Sequence, residues 1–263
     1  MKLRENILKT WLIRRRAVQL LVIAILLVQH LEERYVLGNL SSMTLFGLEL
    51  SDPLATLQYI FAARDIYLPL IISTIIIAGF YMLAGGRVFC SWVCPLHLVF
   101  EYTDKIRSRL SIPDKGFVIS TKYIVLFLAL AVSLIAGIPA FEILSPIGMT
   151  TRALVFGTWM GLIFLAVIAL FEVAYSRRAW CRYFCPLGAF YAILGRLSLV
   201  RVRIDHGLCT KCRICKKECL VPNVLDRPIS GEKMIVTSGD CTNCGICVDV
   251  CPEKALRIGT RFK

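Results

Sequence analysis

Cys209-Thr-Lys-Cys212-Arg-Ile-Cys215-Lys-Lys-Glu-Cys219 and Cys241-Thr-Asn-Cys244-Gly-Ile-Cys247-Val-Asp-Val-Cys251-Pro252 place eight of the chain's 12 cysteines within its last 64 residues. In each run three cysteines are separated by two residues, and a fourth follows after three more. Closely spaced thiolates of one loop hold three irons of a cubane, while the more distant fourth cysteine ligates the other cluster. The spacing therefore assigns Cys209, Cys212, Cys215 and Cys251 to one [4Fe-4S] site, and Cys241, Cys244, Cys247 and Cys219 to the second. Zinc sites want two CxxC pairs or histidine partners, a pattern that neither run offers. Cys219 is followed by Leu220-Val221-Pro222 instead of proline directly, which bears only on the local turn.

Working outward, residues 200–263 read as an α+β domain of the bacterial two-cluster ferredoxin type. They carry 12 Lys and Arg against seven Asp and Glu, a net of +5. Thiolate-ligated clusters are themselves anionic, so nearby basic groups favour the reduced, more negative state, and they also attract an anionic lipid surface. This domain is expected to dock on the rest of its own chain.

Residues 1–199 have a different character. Of all 263 residues 57% are hydrophobic and 19% charged, against the usual near half and about one quarter; mean hydropathy is +0.69. A disulfide scaffold and a disordered chain are both excluded. Uncharged runs at 66–85, 123–141 and 153–171 approach the roughly 20 helical residues that cross about 30 Å of hydrocarbon. A fourth, 17–28, is 12 residues long and includes Gln19, so it spans only if its flanks snorkel. A cleaved signal peptide fits less well, because Gln29-His-Leu-Glu-Glu-Arg34 stands where a small-residue cleavage site belongs. The expectation is an α-helical membrane protein with four transmembrane helices in two repeated hairpins. Basic residues resist translocation, and they concentrate in 1–16 and 87–122, six in each. That count expects a multi-pass protein of the bacterial inner membrane, with the N-terminus and the ferredoxin domain in the cytoplasm.

A repeat lies within this part. Arg87-Val-Phe-Cys90-Ser-Trp-Val-Cys94-Pro95-Leu96 recurs 91 residues later as Arg178-Ala-Trp-Cys181-Arg-Tyr-Phe-Cys185-Pro186-Leu187. Pro95 and Pro186 suit the first turn of a new helix. A helical turn would aim both sulfurs of each i, i+4 pair at one face, and hairpins packed side by side would bring four thiols together. Three readings stand for Cys90, Cys94, Cys181 and Cys185: a third metal site, a dithiol relay, or packing of small buried side chains. Glu142 and Glu172 lie at the ends of the third and fourth expected spans, as proton acceptors or as ordinary interfacial carboxylates. His30, His97 and His206 fall outside the three uncharged runs, which leaves no bis-histidine haem. Neither a phosphate-binding loop nor a GxGxxG turn is present, and no nucleic-acid partner is expected.

These runs and repeats, together with Gly38-Asn39-Leu-Ser-Ser42, Asp52-Pro53-Leu54-Ala-Thr-Leu-Gln58 and Phe89-Cys-Ser-Trp-Val-Cys-Pro95, resemble the NapH/MauN family of ferredoxin-type membrane proteins over nearly the whole chain. The likeness is greatest to its periplasmic nitrate reductase branch. The resemblance implies a quinol dehydrogenase component that draws quinol from the membrane quinone pool. Its electrons would pass through a periplasmic iron-sulfur partner toward nitrate reductase. From their place in the repeat and at a span boundary, the paired cysteines and Glu172 are the residues expected nearest a quinol site between the hairpins. The residues alone support a two-cluster electron carrier anchored in lipid. The competing reading is a redox-sensing or metal-handling assembly or regulatory factor. A copper handler should show methionine-rich or histidine-rich tracts, whereas six Met and three His are scattered here.

Overall fold

The computed structural model describes residues 10–31, 36–39, 42–45, 48–156 and 159–261. Lys2, Arg4 and Lys9 of the basic N-terminus, and Leu40 and Ser41 of the Gly38–Ser42 stretch, lie outside the described residues. In chain order the helices are α1 (Thr10–Leu31), α2 (Pro53–Ala63), α3 (Leu68–Ala84), α4 (Val88–Trp92), α5 (Leu96–Leu110), α6 (Thr121–Ala136), α7 (Ala140–Leu144), α8 (Pro146–Phe156), α9 (Trp159–Ala174), α10 (Pro186–Gly195), α11 (Ile214–Glu218), α12 (Asp226–Ser230) and α13 (Ile246–Asp249). Strands β1 (Val36–Asn39), β2 (Ser42–Leu45) and β3 (Leu48–Ser51) form an antiparallel meander, and β4 (Val200–Ile204) pairs antiparallel with β5 (Leu256–Thr260). A π-helical turn covers Trp180–Phe184 and a 3-10 turn covers Pro222–Leu225.

Contacts divide the chain into two units, each described here by itself. One takes the described residues of 21–79 and 94–190. There α2 starts where local chemistry directs it. Asp52 accepts the N–H groups of Leu54 and Ala55 at 3.1 and 3.3 Å, and Pro53 fills the first turn, so orphan donors are satisfied and φ is preset. α2 packs on α6, and α9 packs on both α5 and α8. Buried Leu54, Phe100, Leu126, Phe141 and Ile168 fill this core. Gln58, fully buried, ties three segments together: its Oε1 accepts the N–H of Phe141 at 2.9 Å and the hydroxyl of Ser133 at 3.4 Å.

The other unit holds the described residues of 1–20, 80–93 and 191–263. Its core joins Val202 and Ile204 of β4, Leu256 of β5, and Leu220, Val224, Leu225, Ile229 and Val236 with the cluster cysteines. Gly86, at φ +64°, lies directly against the backbone of Gly195. A Cβ on Gly86 would stand 2.3 Å from Gly195 Cα, whereas one on Gly195 would stand 2.8 Å from the carbonyl oxygen of Gly239.

The helices correct the four-span expectation. Among the described residues no helix is long and apolar enough to cross a membrane. α3 has 17 residues and α6 and α9 have 16 each, about 24–26 Å at 1.5 Å per residue against roughly 30 Å of hydrocarbon. Gly137 ends α6 in the left-handed conformation, ahead of Pro139. The 153–171 run takes in the last residues of α8 and most of α9, with residues 157 and 158 outside the described ones. α1 is 22 residues long but includes Arg14, Arg15, Arg16 and Gln19, of which Arg15 and Gln19 are buried. The multi-pass inner-membrane placement and its orientation rested on those spans and fall with them. High mean hydropathy shows instead as exposed apolar side chains, among them Ile75, Ile76, Phe127, Ile135, Trp159 and Leu170.

Candidate iron-sulfur centres

Two cavities in the ferredoxin segment are lined by four cysteines each. Cys209, Cys212, Cys215 and Cys251 surround one, with Ile229, Pro252 and Leu256; Cys219, Cys241, Cys244 and Cys247 surround the other, with Val202, Val224 and Leu225. Each cavity is lined by the four cysteines that spacing groups together. This grouping follows from how the loops are built. Lys211 and Arg213 in the first loop, and Asn243 and Gly245 in the second, adopt positive φ, curling each loop around its cavity. α11 and α13, carrying Cys215 and Cys247, pack together, so the chain leaving each loop delivers its fourth cysteine to the opposite cavity.

The donor sets fit the clusters. Four thiols converge on each cavity, joined among the possible ligands only by Glu253 at the first. A single ion draws its ligands tightly around one point, and among the described residues no three Cys, His, Asp or Glu side chains are set that way. A cubane spreads its four cysteines over separate irons. Burial pushes the Cys241 thiol up to about 11 and that of Cys247 well above the ordinary value, with neighbouring thiols adding to the rise. Cationic iron must displace those protons on binding.

Basic and aromatic groups hold the second loop. Arg87 pairs with Asp240 at 3.0 Å, and Arg201 donates to the carbonyls of Ser198, Val236, Ser238 and Arg196 at 2.8–3.3 Å. Both guanidiniums pull the Cys241 thiol down against its burial. Ser91 Oγ donates to the Thr242 carbonyl at 2.8 Å and Trp92 Nε1 to the Asn243 carbonyl at 3.2 Å. The first turn of α1 is capped from the same loop: Asp249 accepts the N–H groups of Trp11 and Leu12 at 3.3 and 3.0 Å. Trp11 and Trp92 meet edge to face at 6.2 Å.

The paired cysteines lie where the short helices stop. Cys90 is in α4 and Cys181 in the π-helical turn, but Cys94 and Cys185 fall just past the ends of those elements. The i, i+4 geometry of one continuous helix is thus corrected, because Pro95 and Pro186 begin new helices at once. Cys94 and Cys185 are buried, and Cys90 and Cys181 are half-buried. Cys185 Sγ accepts the Gly188 N–H at 3.3 Å. Cys90 belongs to the unit with the ferredoxin segment and the other three to the second unit.

Glu172, near the end of α9, is only 1% exposed, so it is not the water-accessible carboxylate expected at a span boundary. Its Oε1 accepts the Trp180 N–H at 2.9 Å, and its Oε2 is buried without a hydrogen-bond partner. Burial raises its pKa to about 8, although the N–H of Trp180 and the nearby Arg178 favour the charged form. Asp104 binds Arg178 at 2.7 Å and Arg177 at 3.3 Å. Arg107 donates to the carbonyls of Glu172, Val173, Tyr175 and Pro113, satisfying the orphan acceptors at the end of α9. Glu142 stands half-buried in the first turn of α7. Sequence reasoning missed Asp104, Arg107, Arg201 and Asp240. One signal was available: Arg87 and Arg178 hold the same place in the repeat, three residues before its first cysteine, and both are buried against an aspartate.

The fold of residues 191–261 and its two four-thiol cavities define an iron-sulfur electron-transfer protein of the ferredoxin type. Residues 208–256 match the family model described as a 4Fe-4S dicluster domain, and 67–113 and 156–205, each holding one cysteine pair, match a 4Fe-4S binding domain. The chain is 37% identical to the ferredoxin-type protein NapH of Haemophilus influenzae, over 94% of this chain and 89% of that one. It is 38% identical to the methylamine utilization ferredoxin-type protein MauN of Methylobacillus flagellatus over the same shares, and 34% identical to NapH of Escherichia coli over 96% and 90%. The chain belongs to the NapH/MauN family of ferredoxin-type proteins. No solved structure matches it.

Proposed function

We propose that this chain accepts the two electrons of a quinol and delivers them singly to a separate iron-sulfur protein, with the nitrate reductase chain implied by the sequence resemblance on the acceptor side. The observation that carries the reading is the pair of four-cysteine cavities side by side in one core. Clusters held by these eight cysteines supply two one-electron couples. Around them, Arg87 and Arg201 favour the more negative state by their buried positive charge. Oxidation of one quinol also releases two protons. Glu172 suits one of them: a carboxyl with a pKa near 8 exchanges its proton close to neutral pH, where general bases work best, and its Oε2 has no competing partner.

The test is anaerobic reconstitution with iron and sulfide, followed by addition of menadiol and EPR detection of reduced clusters. Reduction that slows severalfold in Glu172→Gln, with cluster content unchanged, supports the reading. Clusters reducible by dithionite but untouched by the quinol would overturn the donor assignment.

A further inference from the structure

The two cluster loops are copies of one another with opposite fates. Cys209-Thr-Lys211-Cys212-Arg213-Ile-Cys215 matches Cys241-Thr-Asn243-Cys244-Gly245-Ile-Cys247 at five of seven positions and differs at Lys211 against Asn243 and Arg213 against Gly245. The backbone matches too: φ is +54° and +60° at Lys211 and Arg213, and +46° and +75° at Asn243 and Gly245. In the second copy this face is covered by the chain itself. Asn243, Cys244 and Gly245 are all buried. Trp92 takes the Asn243 carbonyl, and Trp11 lies so close that a Cβ on Gly245 would stand 2.5 Å from its own. In the first copy Lys211, Cys212 and Arg213 are all exposed. Lys211, Arg213 and Lys216 then line an open cleft with Asp226, Ile229 and Ser230, and Asp226 pairs with Lys216.

We propose that this open face of the first loop is the docking surface for an acidic electron-carrier protein. The inference rests on the electron-transfer reading above. Three arguments select the partner. Cys212 is an exposed ligand, whereas Cys244 and Cys247 are buried, so the first site has the shorter route to a partner at the surface. Three cations against one carboxylate steer an acidic surface into contact and raise its encounter rate. Lipid headgroups would answer the charge but accept no electron at Cys212. The residue types support the same conclusion: asparagine and glycine are the residues best tolerated at positive φ, and lysine and arginine there are strained. The first loop bears that strain at the two positions where it presents charge.

The experiment exchanges the first loop's two residues for those of the second, Lys211→Asn with Arg213→Gly, which removes two charges and relieves two strained positions. Reconstituted full-length wild type and variant are mixed anaerobically with reduced flavodoxin, an acidic one-electron carrier, and with the methyl viologen radical, a cationic dye. Cluster bleaching gives the rates. The expected result is a flavodoxin rate at least tenfold lower in the variant at low salt, a wild-type rate that falls with salt to the variant's, and no loss with the dye. Equal flavodoxin rates in the two proteins overturn the proposal. So does loss of binding to phosphatidylglycerol vesicles in the variant with the flavodoxin rate unchanged, which assigns the patch to lipid. Should the variant fail to hold its clusters, polyglutamate added to wild type decides: it must inhibit flavodoxin and spare the dye, and equal inhibition of both refutes the docking surface. Wild-type clusters reduced by neither donor would refute the electron-transfer reading itself.

Discussion

Arg87 Nη1 reaches Asp240 Oδ1 at 3.0 Å from a side chain that is 2% exposed, one residue before the cluster ligand Cys241. A charge buried there acts through a low effective dielectric. Arg87→Leu should remove this ion pair and destabilise the protein by about 3 kcal/mol, the usual result of removing one partner of a buried pair. It should also lower the reduction potential of the cluster held by Cys241, since positive charge favours the more negative state. Chemical denaturation and an EPR-monitored redox titration measure the two effects. An unchanged potential would mean that Arg87 serves packing alone.

The crossed pairing makes an unusual prediction for single substitutions. Cys219→Ser should damage the cluster of the second loop, 22 residues further on, and spare that of its own. Cys251→Ser should do the converse. Intact protein should contain about eight irons and eight labile sulfides per chain, and each variant should keep the EPR signal of the cluster it does not serve. A content near twelve irons would add the Cys90, Cys94, Cys181 and Cys185 set as a third site.

Glu172 gives stability a definite pH dependence. Its pKa is raised from 4.5 to about 8 in the folded protein, so the folded state binds the proton more tightly than the unfolded chain. Its contribution is fully present below pH 4.5, and declines as pH rises toward 8 and beyond. The loss is on the order of 4 kcal/mol between those limits. Denaturation at pH 5, 7 and 9 should show the decline in wild type and a flatter profile in Glu172→Gln. A wild-type profile as flat as the variant's would place the carboxyl in water.

Asp249 links a cluster loop to a helix 237 residues away in sequence. Asp249→Ala removes the acceptor for the Trp11 and Leu12 N–H groups, and caps of this kind contribute about 1–2 kcal/mol. Hydrogen exchange at those two amides should quicken, while Asp249→Asn retains part of the protection. Unaltered exchange in the alanine variant would show that packing alone holds the start of α1.

Which cysteines share a cavity was legible in the sequence because spacing is a local property: three thiols on one tight loop face one space, and the fourth lies beyond the loop's reach. The starts of α5 and α10 were legible for a similar reason, since Pro95 and Pro186 preset the first turn of whatever helix follows. Helix ends were not. Apolar runs of suitable length in 66–85 and 123–141 give no sign of where backbone geometry stops a helix, and the left-handed turn at Gly137 and the late start at Leu68 shortened what composition alone reads as spans. Tertiary structure alone decided which charges are buried and with what partners. Arg87 meets an aspartate 153 residues later, and Arg178 one 74 residues earlier. Such pairings are set by the packing of distant segments, a non-local outcome that no window of sequence contains. The unequal fate of the two cluster loops has the same origin: Trp11 and Trp92 are remote in the chain from Gly245, and only their arrival there distinguishes a covered loop from its open copy.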